Sequence, residues 1–141
     1  MFPRTLLLNR RRVRKSVFEV TQDHIIPDPI IDRVRGESSN GATVSFIGSL
    51  RGYSADGRRL RFAECEENRQ AAEKLLRGVG DEVRARWSLE DMAICHRVGR
   101  IEVGDVIMVV AIAAPHRQEA FEACQYAVDR AKGYISIKEV F

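Results

Sequence analysis

The hydrophobic and polar positions of this chain fall into short blocks. Their period switches between two and roughly three and a half, which predicts a mixture of strands and helices. Val17 to Val20 alternates and predicts a first strand. Pro27 and Pro29 open a short helical pattern through Ile30, Ile31 and Val34 that Gly36 ends. Ala42 to Leu50 is rich in β-branched and aromatic residues and predicts a core strand, with Gly48 marking a bulge or a close backbone approach. After a mobile loop over 51–57, Leu60 to Cys65 predicts the returning strand. Ala71, Ala72, Leu75, Leu76, Val79, Val83 and Trp87 make a helical stripe over Asn68 to Trp87, which Gly78 and Gly80 weaken by up to about 1 kcal/mol each relative to alanine. Met92 to Val98 predicts a strand, Glu102 to Asp105 a tight turn, and the apolar run Val106 to Ala114 a buried strand. Ala120, Cys124, Ala127, Val128 and Ala131 predict a last helix, with Gly133 just past its end in a left-handed conformation. Alternation from Tyr134 to Val140 predicts a final strand. The order β-α-β-β-α-β-β-α-β, with most neighbouring strands joinable by hairpins, favours an α+β fold: one domain, a mostly antiparallel sheet and packed helices.

Composition narrows the classes. At 141 residues and 45% hydrophobic, the chain can build one core. No run approaches the roughly 20 apolar residues of a membrane span. Cys65, Cys95 and Cys124 are widely spaced, which fits reduced, buried thiols in a cytoplasmic protein and no metal site. The net charge of +3 is uneven, because Arg10, Arg11, Arg12, Arg14 and Lys15 precede the first acid, Glu19. No aromatic residue interleaves that cluster, so residues 1–16 read as a basic solvated extension rather than a nucleic-acid surface, and 17–141 as the domain.

The phosphate-loop, dinucleotide, zinc-protease and nucleophile-elbow motifs are all absent. Glu64, Glu66 and Glu67 read as a solvated turn before a helix. His116 and Arg117 fall where a buried strand meets a helix N-terminus. There, free N–H groups and the helix dipole favour an anion, arginine adds a fork for carboxylate or phosphate, and histidine can carry a proton. His96 and Arg97 repeat the dipeptide at a strand end, where a structural or supporting role is expected. Lys132 ends a helix, Lys138 lies in a strand, and Arg51 follows a core strand. Each is unremarkable alone, but together they stand at element ends that can converge on one cleft.

Three blocks carry a resemblance. Gly41 to Arg51 (GATVSFIGSLR), His96 to Asp105 (HRVGRIEVGD) and Ala114 to Ala123 (APHRQEAFEA) are similar to successive blocks of the large, catalytic subunit of molybdopterin synthase. Val128 to Lys132 (VDRAK) continues in register, and the likeness spans nearly everything after the basic arm. It implies a hammerhead-like α+β fold and an enzyme of molybdenum cofactor biosynthesis. Such an enzyme moves sulfur onto cyclic pyranopterin monophosphate to form the molybdopterin dithiolene. The sulfur arrives as a thiocarboxylate on the C-terminal Gly-Gly of a small ubiquitin-like partner, and the large subunit is a homodimer within a heterotetramer. By motif, Lys132 matches the principal catalytic lysine, and Arg51, His116 and Arg117 match positions that bind the anionic substrate. No metal or organic cofactor is implied.

The resemblance loosens after Lys132. The family carries a proline, a tryptophan and then a second catalytic lysine seven residues on, whereas here Lys138 follows after six and Glu139 stands at the ungapped position. A one-residue deletion in the turn makes Lys138 the second catalytic lysine, facing the Lys132 cleft while Ile135 and Ile137 face the core. The alternative is a catalytically impaired homologue that binds a ubiquitin-like protein as a scaffold. Removing residues 1–15 should leave the thermal unfolding midpoint and any activity nearly unchanged; a large loss of either would make the arm part of the fold.

Overall fold

The computed structural model describes residues 16–89 and 91–141, so the basic arm, Ser16 apart, lies outside the described residues. In chain order the elements are β1 (Val17–Thr21), α1 (Pro27–Val34), β2 (Ala42–Ser49), β3 (Phe62–Cys65) and α2 (Arg69–Trp87). They continue as β4 (Met92–Arg97), β5 (Gly99–Glu102), β6 (Val106–Ala114), α3 (Arg117–Tyr134) and β7 (Lys138–Val140). The fold is α+β and mostly antiparallel, in two sheets ordered β1-β4-β6-β2 and β5-β3-β7. The strongest apolar runs take the centre of the larger sheet. β4 is buried throughout and pairs antiparallel with β6 from Met92↔Ile112 to His96↔Met108. Helices cover both of its faces: Leu76, Val79, Ala127 and Ala131 of α2 and α3 join the main core, while Val34 of α1 packs with Ala93, Ala111 and Ala113 behind it. A strand covered on both faces has no solvent side, hence the unbroken hydrophobic run. No helix among the described residues is long and apolar enough to cross a membrane.

Several local expectations hold. The β2–β6 register shifts at Gly48/Ser49, the bulge that Gly48 signalled. All three cysteines are free and buried. Burial pushes Cys95 up to about 12 and Cys124 up to about 11, and raises Cys65, so these thiols are not nucleophiles at neutral pH.

Pairing departs from the hairpin expectation. Among the described residues no two consecutive strands pair, and β1 runs parallel to β4. β3 does not return along β2; it crosses to the small sheet, between β5 and β7. Alternation sets which face a strand buries but says nothing about its neighbour. The segment before β3 is bonded back on itself rather than loose: Ser54 N–H donates to the Arg58 carbonyl (2.9 Å) and Leu60 N–H to the Gly52 carbonyl (2.8 Å). At the C-terminal end α3 runs on through Gly133 to Tyr134, because Ile135 N–H still donates to the Ala131 carbonyl (3.0 Å). Gly133 therefore adopts no left-handed conformation, and the last strand shortens to Lys138–Val140.

The unexpected strand β5 exists because the chain turns a corner between the sheets. Gly99 (φ 84°) supplies the left-handed residue just after β4. Arg97 braces the corner from inside: its Nη2 donates to the Arg100 carbonyl (2.9 Å), and its Nη1 lies 3.5 Å from Asp105 Oδ2. With side chains only 6% and 17% exposed, this is a buried ion pair. Asp105 Oδ2 also accepts from Glu102 N–H (2.9 Å), closing the turn into β6. The turn then grips the end of β2, since Leu50 N–H donates to the Asp105 carbonyl and Gly104 N–H to the Leu50 carbonyl, both at 2.9 Å.

Two outcomes test this packing. A Cβ at Gly80 would meet Phe18 at 2.4 Å, whereas one at Gly78 would meet nothing within 4 Å. Gly78→Ala should raise unfolding free energy by up to about 1 kcal/mol, and Gly80→Ala should lower it by about 1–3 kcal/mol, both read by urea denaturation. Asp105→Ala strands the buried Arg97 guanidinium and should cost about 3–5 kcal/mol; a loss under 1 kcal/mol would show that the pair does not hold the corner.

Candidate active site

A cleft of about 430 Å³ opens where the end of β2, the last turn of α3 and the chain leading into β7 meet. Its walls mix apolar side chains (Phe46, Leu60, Met108 and Ile137) with polar ones (Ser49, Tyr53 and Ser136), and its charged groups are Arg51, Lys132 and Glu139. β2 delivers Arg51, and the hydrogen bonds of Leu50 to the 104–105 turn fix where β2 ends. α3 delivers Lys132, whose amine lies 5.6 Å from the centre of the Phe46 ring. The ring face attracts the ammonium without neutralising it. Neither Arg51 nor Lys132 has an ion-pair partner among the described residues, and Glu139 has none either.

His96 also lines this cleft, which goes further than the supporting role read from its position at a strand end. It is almost completely buried, and burial holds its pKa below the ordinary histidine value. Its Nδ1 lies 2.6 Å from the Arg97 carbonyl. A carbonyl only accepts, so Nδ1 carries the proton and Nε2 is the acceptor of a neutral ring. The polar end of an otherwise apolar buried strand was the signal available for it.

The sequence-predicted site residues do not all gather here. Lys132 and Arg51 do. His116 and Arg117 line a separate depression of about 520 Å³ with Gly41 and Pro115. His116 occupies the N-cap position of α3 but makes no cap bond with its side chain; instead Nδ1 lies 3.3 Å from Glu119 Oε1. Two internal rulers give the separation of this depression from the Lys132 cleft. From Arg117 to Lys132, α3 spans roughly 22 Å at 1.5 Å per residue. Along β2, from Ala42 beside Ala114 to Ser49 beside Val106, the distance is roughly 23 Å at 3.3 Å per residue.

Lys138 is placed against expectation. In the β3–β7 register it lies opposite Glu64, and Glu139 lies opposite the fully buried Ala63. Side chains alternate along a strand, so the two residues face opposite ways. Glu139 takes the side of the Lys132 cleft, while Lys138 lines a neighbouring depression with Glu64, Glu66 and Glu67. Ser136 and Ile137 belong to both depressions and form the ridge between them. The Lys138 side chain therefore lines the neighbouring depression and not the Lys132 cleft, where it was expected to face.

The arrangement is a mixed-sign cleft whose three charged groups form no ion pairs among the described residues. Comparison with known proteins then gives it a lineage. The family model described as MoaE protein matches residues 20–134. The "Molybdopterin synthase catalytic subunit" of Halalkalibacterium halodurans is 36% identical over 120 residues, covering 85% of this chain and 76% of that one. The Bacillus subtilis protein of the same name is 34% identical over 126 residues, covering 88% and 79%. The crystal structure of molybdopterin synthase from Staphylococcus aureus superposes with a TM-score of 0.80 at 30% identity, covering 88% of this chain and 90% of that one. A complex of subunits 1 and 2 of the molybdopterin-converting factor from Helicobacter pylori shares the fold at a TM-score of 0.67 and 12% identity. With the family model matching most of its length and relatives above 30% identity covering 85% and 88% of it, this chain belongs to the MoaE family of molybdopterin synthase catalytic subunits.

Proposed function

We propose that this chain is the catalytic subunit of a molybdopterin synthase. It would transfer sulfur from the C-terminal thiocarboxylate of a small ubiquitin-like partner to cyclic pyranopterin monophosphate, giving the dithiolene. The observation that carries this reading is the placement of Lys132 and Arg51, two cations without ion-pair partners among the described residues, in one cleft. Both reactants are anionic, one as a cyclic phosphate and one as a thiocarboxylate. Holding them together for a new carbon–sulfur bond needs positive charge that is not already neutralised. Arg51 suits the phosphate, since its planar fork matches two oxygens at once. Lys132 suits the reacting centre, where a compact ammonium stabilises charge on the departing oxygen and supplies it with a proton. An extended tail is a fitting occupant for the part of the cleft lined by Tyr53 and Ile137, next to Lys132.

His116 and Arg117 belong to the same proposal only through a second protomer. In one chain they lie roughly 20 Å from Lys132 by the helix ruler, too far to share a substrate. A homodimer that sets the N-terminus of one α3 against the cleft of the other would complete the cationic site, and two partner subunits would make a heterotetramer. The placement of Glu139 in the cleft, with Lys138 outside it, favours a second reading: a scaffold that binds the ubiquitin-like tail without turnover.

Reconstitution with thiocarboxylated partner and cyclic pyranopterin monophosphate separates the two, with dithiolene product as the readout. Product is expected, and Lys132→Ala should lower turnover at least about a hundredfold while shifting stability by no more than about 1 kcal/mol. Near-normal turnover in that variant would return Lys132 to ordinary helix-end duty. Tail binding without product in the unmodified chain would establish the scaffold reading, and a partner lacking its last two glycines should not bind under either.

A further inference from the structure

The cleft holds one group that anion binding does not explain. Glu139 lines it together with Arg51 and Lys132, yet forms an ion pair with neither among the described residues. A carboxylate there repels a phosphate or a thiocarboxylate, so its presence limits where the anionic parts of a ligand can lie. An ionised carboxylate only accepts hydrogen bonds, and its two oxygens lie side by side. It calls for a ligand end that presents two parallel N–H donors, as a guanidinium does.

We propose that Glu139 reads the donor edge of the pterin ring, the 2-amino group and the adjacent ring N–H. It thereby fixes which end of the substrate lies toward β7 and which toward Arg51 and Lys132. This rests on the function proposed above and adds a specificity-determining residue to it. The pterin has one edge with two adjacent donors, and its phosphate lies at the far end, which separates the charges in the sense the cleft requires. The flat ring fits the apolar walls of Phe46, Leu60 and Met108, and a volume of about 430 Å³ accommodates a molecule of that size. The partner's tail is a poorer match for the carboxylate. In an extended chain successive N–H groups point to opposite sides, so one donor at a time would reach it. Lys138 cannot take the role, since it lies beyond the Ile137 ridge and carries donors only.

The test measures equilibrium binding of two small probes to the full-length chain in its native oligomer. Pterin carries the 2-amino donor, and lumazine is the same ring with an oxygen in its place. The unmodified chain should bind pterin about tenfold or more tightly than lumazine, the scale of one bidentate contact. Glu139→Ala and Glu139→Gln should remove that preference, and Lys138→Ala should keep it; circular dichroism of each variant controls for folding. Equal binding of the two probes by the unmodified chain would overturn the assignment, as would undetectable binding of pterin at millimolar concentration or a preference surviving in Glu139→Ala. A Glu139→Ala variant that loses affinity for a Gly-Gly-ended peptide while still preferring pterin would likewise overturn it and give the carboxylate to the tail. Because no sulfur is transferred in these measurements, the two proposals fail separately. Dithiolene formation without probe discrimination sinks only the role of Glu139. Discrimination without dithiolene formation sinks the proposed reaction.

Discussion

The buried ion pair between Arg97 and Asp105 is the constraint from which the cleft follows. A guanidinium taken out of water must be compensated, and here the compensation comes from a carboxylate eight positions along the chain, across the corner where one sheet becomes two. Among the described residues Nε and Nη1 of Arg97 have no hydrogen-bond partner, so compensation comes from the attraction of Asp105 and from the Arg100 carbonyl. That makes the geometry of the 102–105 turn inflexible. The turn holds Leu50 by two backbone hydrogen bonds, and the next residue is Arg51. On the other side of the pair, His96 hydrogen-bonds the Arg97 carbonyl and lines the cleft floor. One electrostatic contact thus holds the segments that carry two polar groups of the cleft, Arg51 and His96.

That corner also explains why the His96–Asp105 block reads so distinctly in the sequence while its pairing does not. Arg97, Gly99, Gly104 and Asp105 are required by the corner itself: a buried cation, two left-handed residues and a counter-charge. Local rules find such residues because each answers a local need. The same holds for the helices α2 and α3, for the Gly48 bulge and for the buried cysteines. What local rules could not supply was the neighbour of each strand. β3 alternates as a strand paired with β2 would, yet it pairs with β5 and β7. The difference lies in contacts between residues far apart in the chain, which no short pattern encodes.

The site divides along the same line. Arg51 and Lys132 stand at the ends of well-formed elements and were legible as members of one cleft. The facing of Lys138 and Glu139 depended on where α3 stops. The glycine at 133 suggested an early stop, but a glycine outside a turn imposes no conformation, and the Ile135 amide found a helical acceptor in Ala131. Once the helix extends to Tyr134, burial of Ile135 sets the direction of the following chain, and the strand alternation after it assigns Glu139 to the cleft. A one-residue question about a helix end became a question about the sign of a charge in the site.

The charges of this cleft are kept available by what surrounds them. Lys132 rests over the Phe46 face, which attracts an ammonium but offers no competing carboxylate. Had Glu139 closed on Lys132, the pair would have gained modest Coulomb energy at the surface and given up two recognition groups. With the roles proposed above, the unpaired Glu139 and Lys132 let one cleft offer a ligand both a hydrogen-bond acceptor and a cation. His116 and Arg117 are held off by the full length of α3, a rigid spacer of roughly 22 Å. A helix cannot shorten to bring its two ends to one substrate, so a site shared by these groups requires the second protomer proposed above.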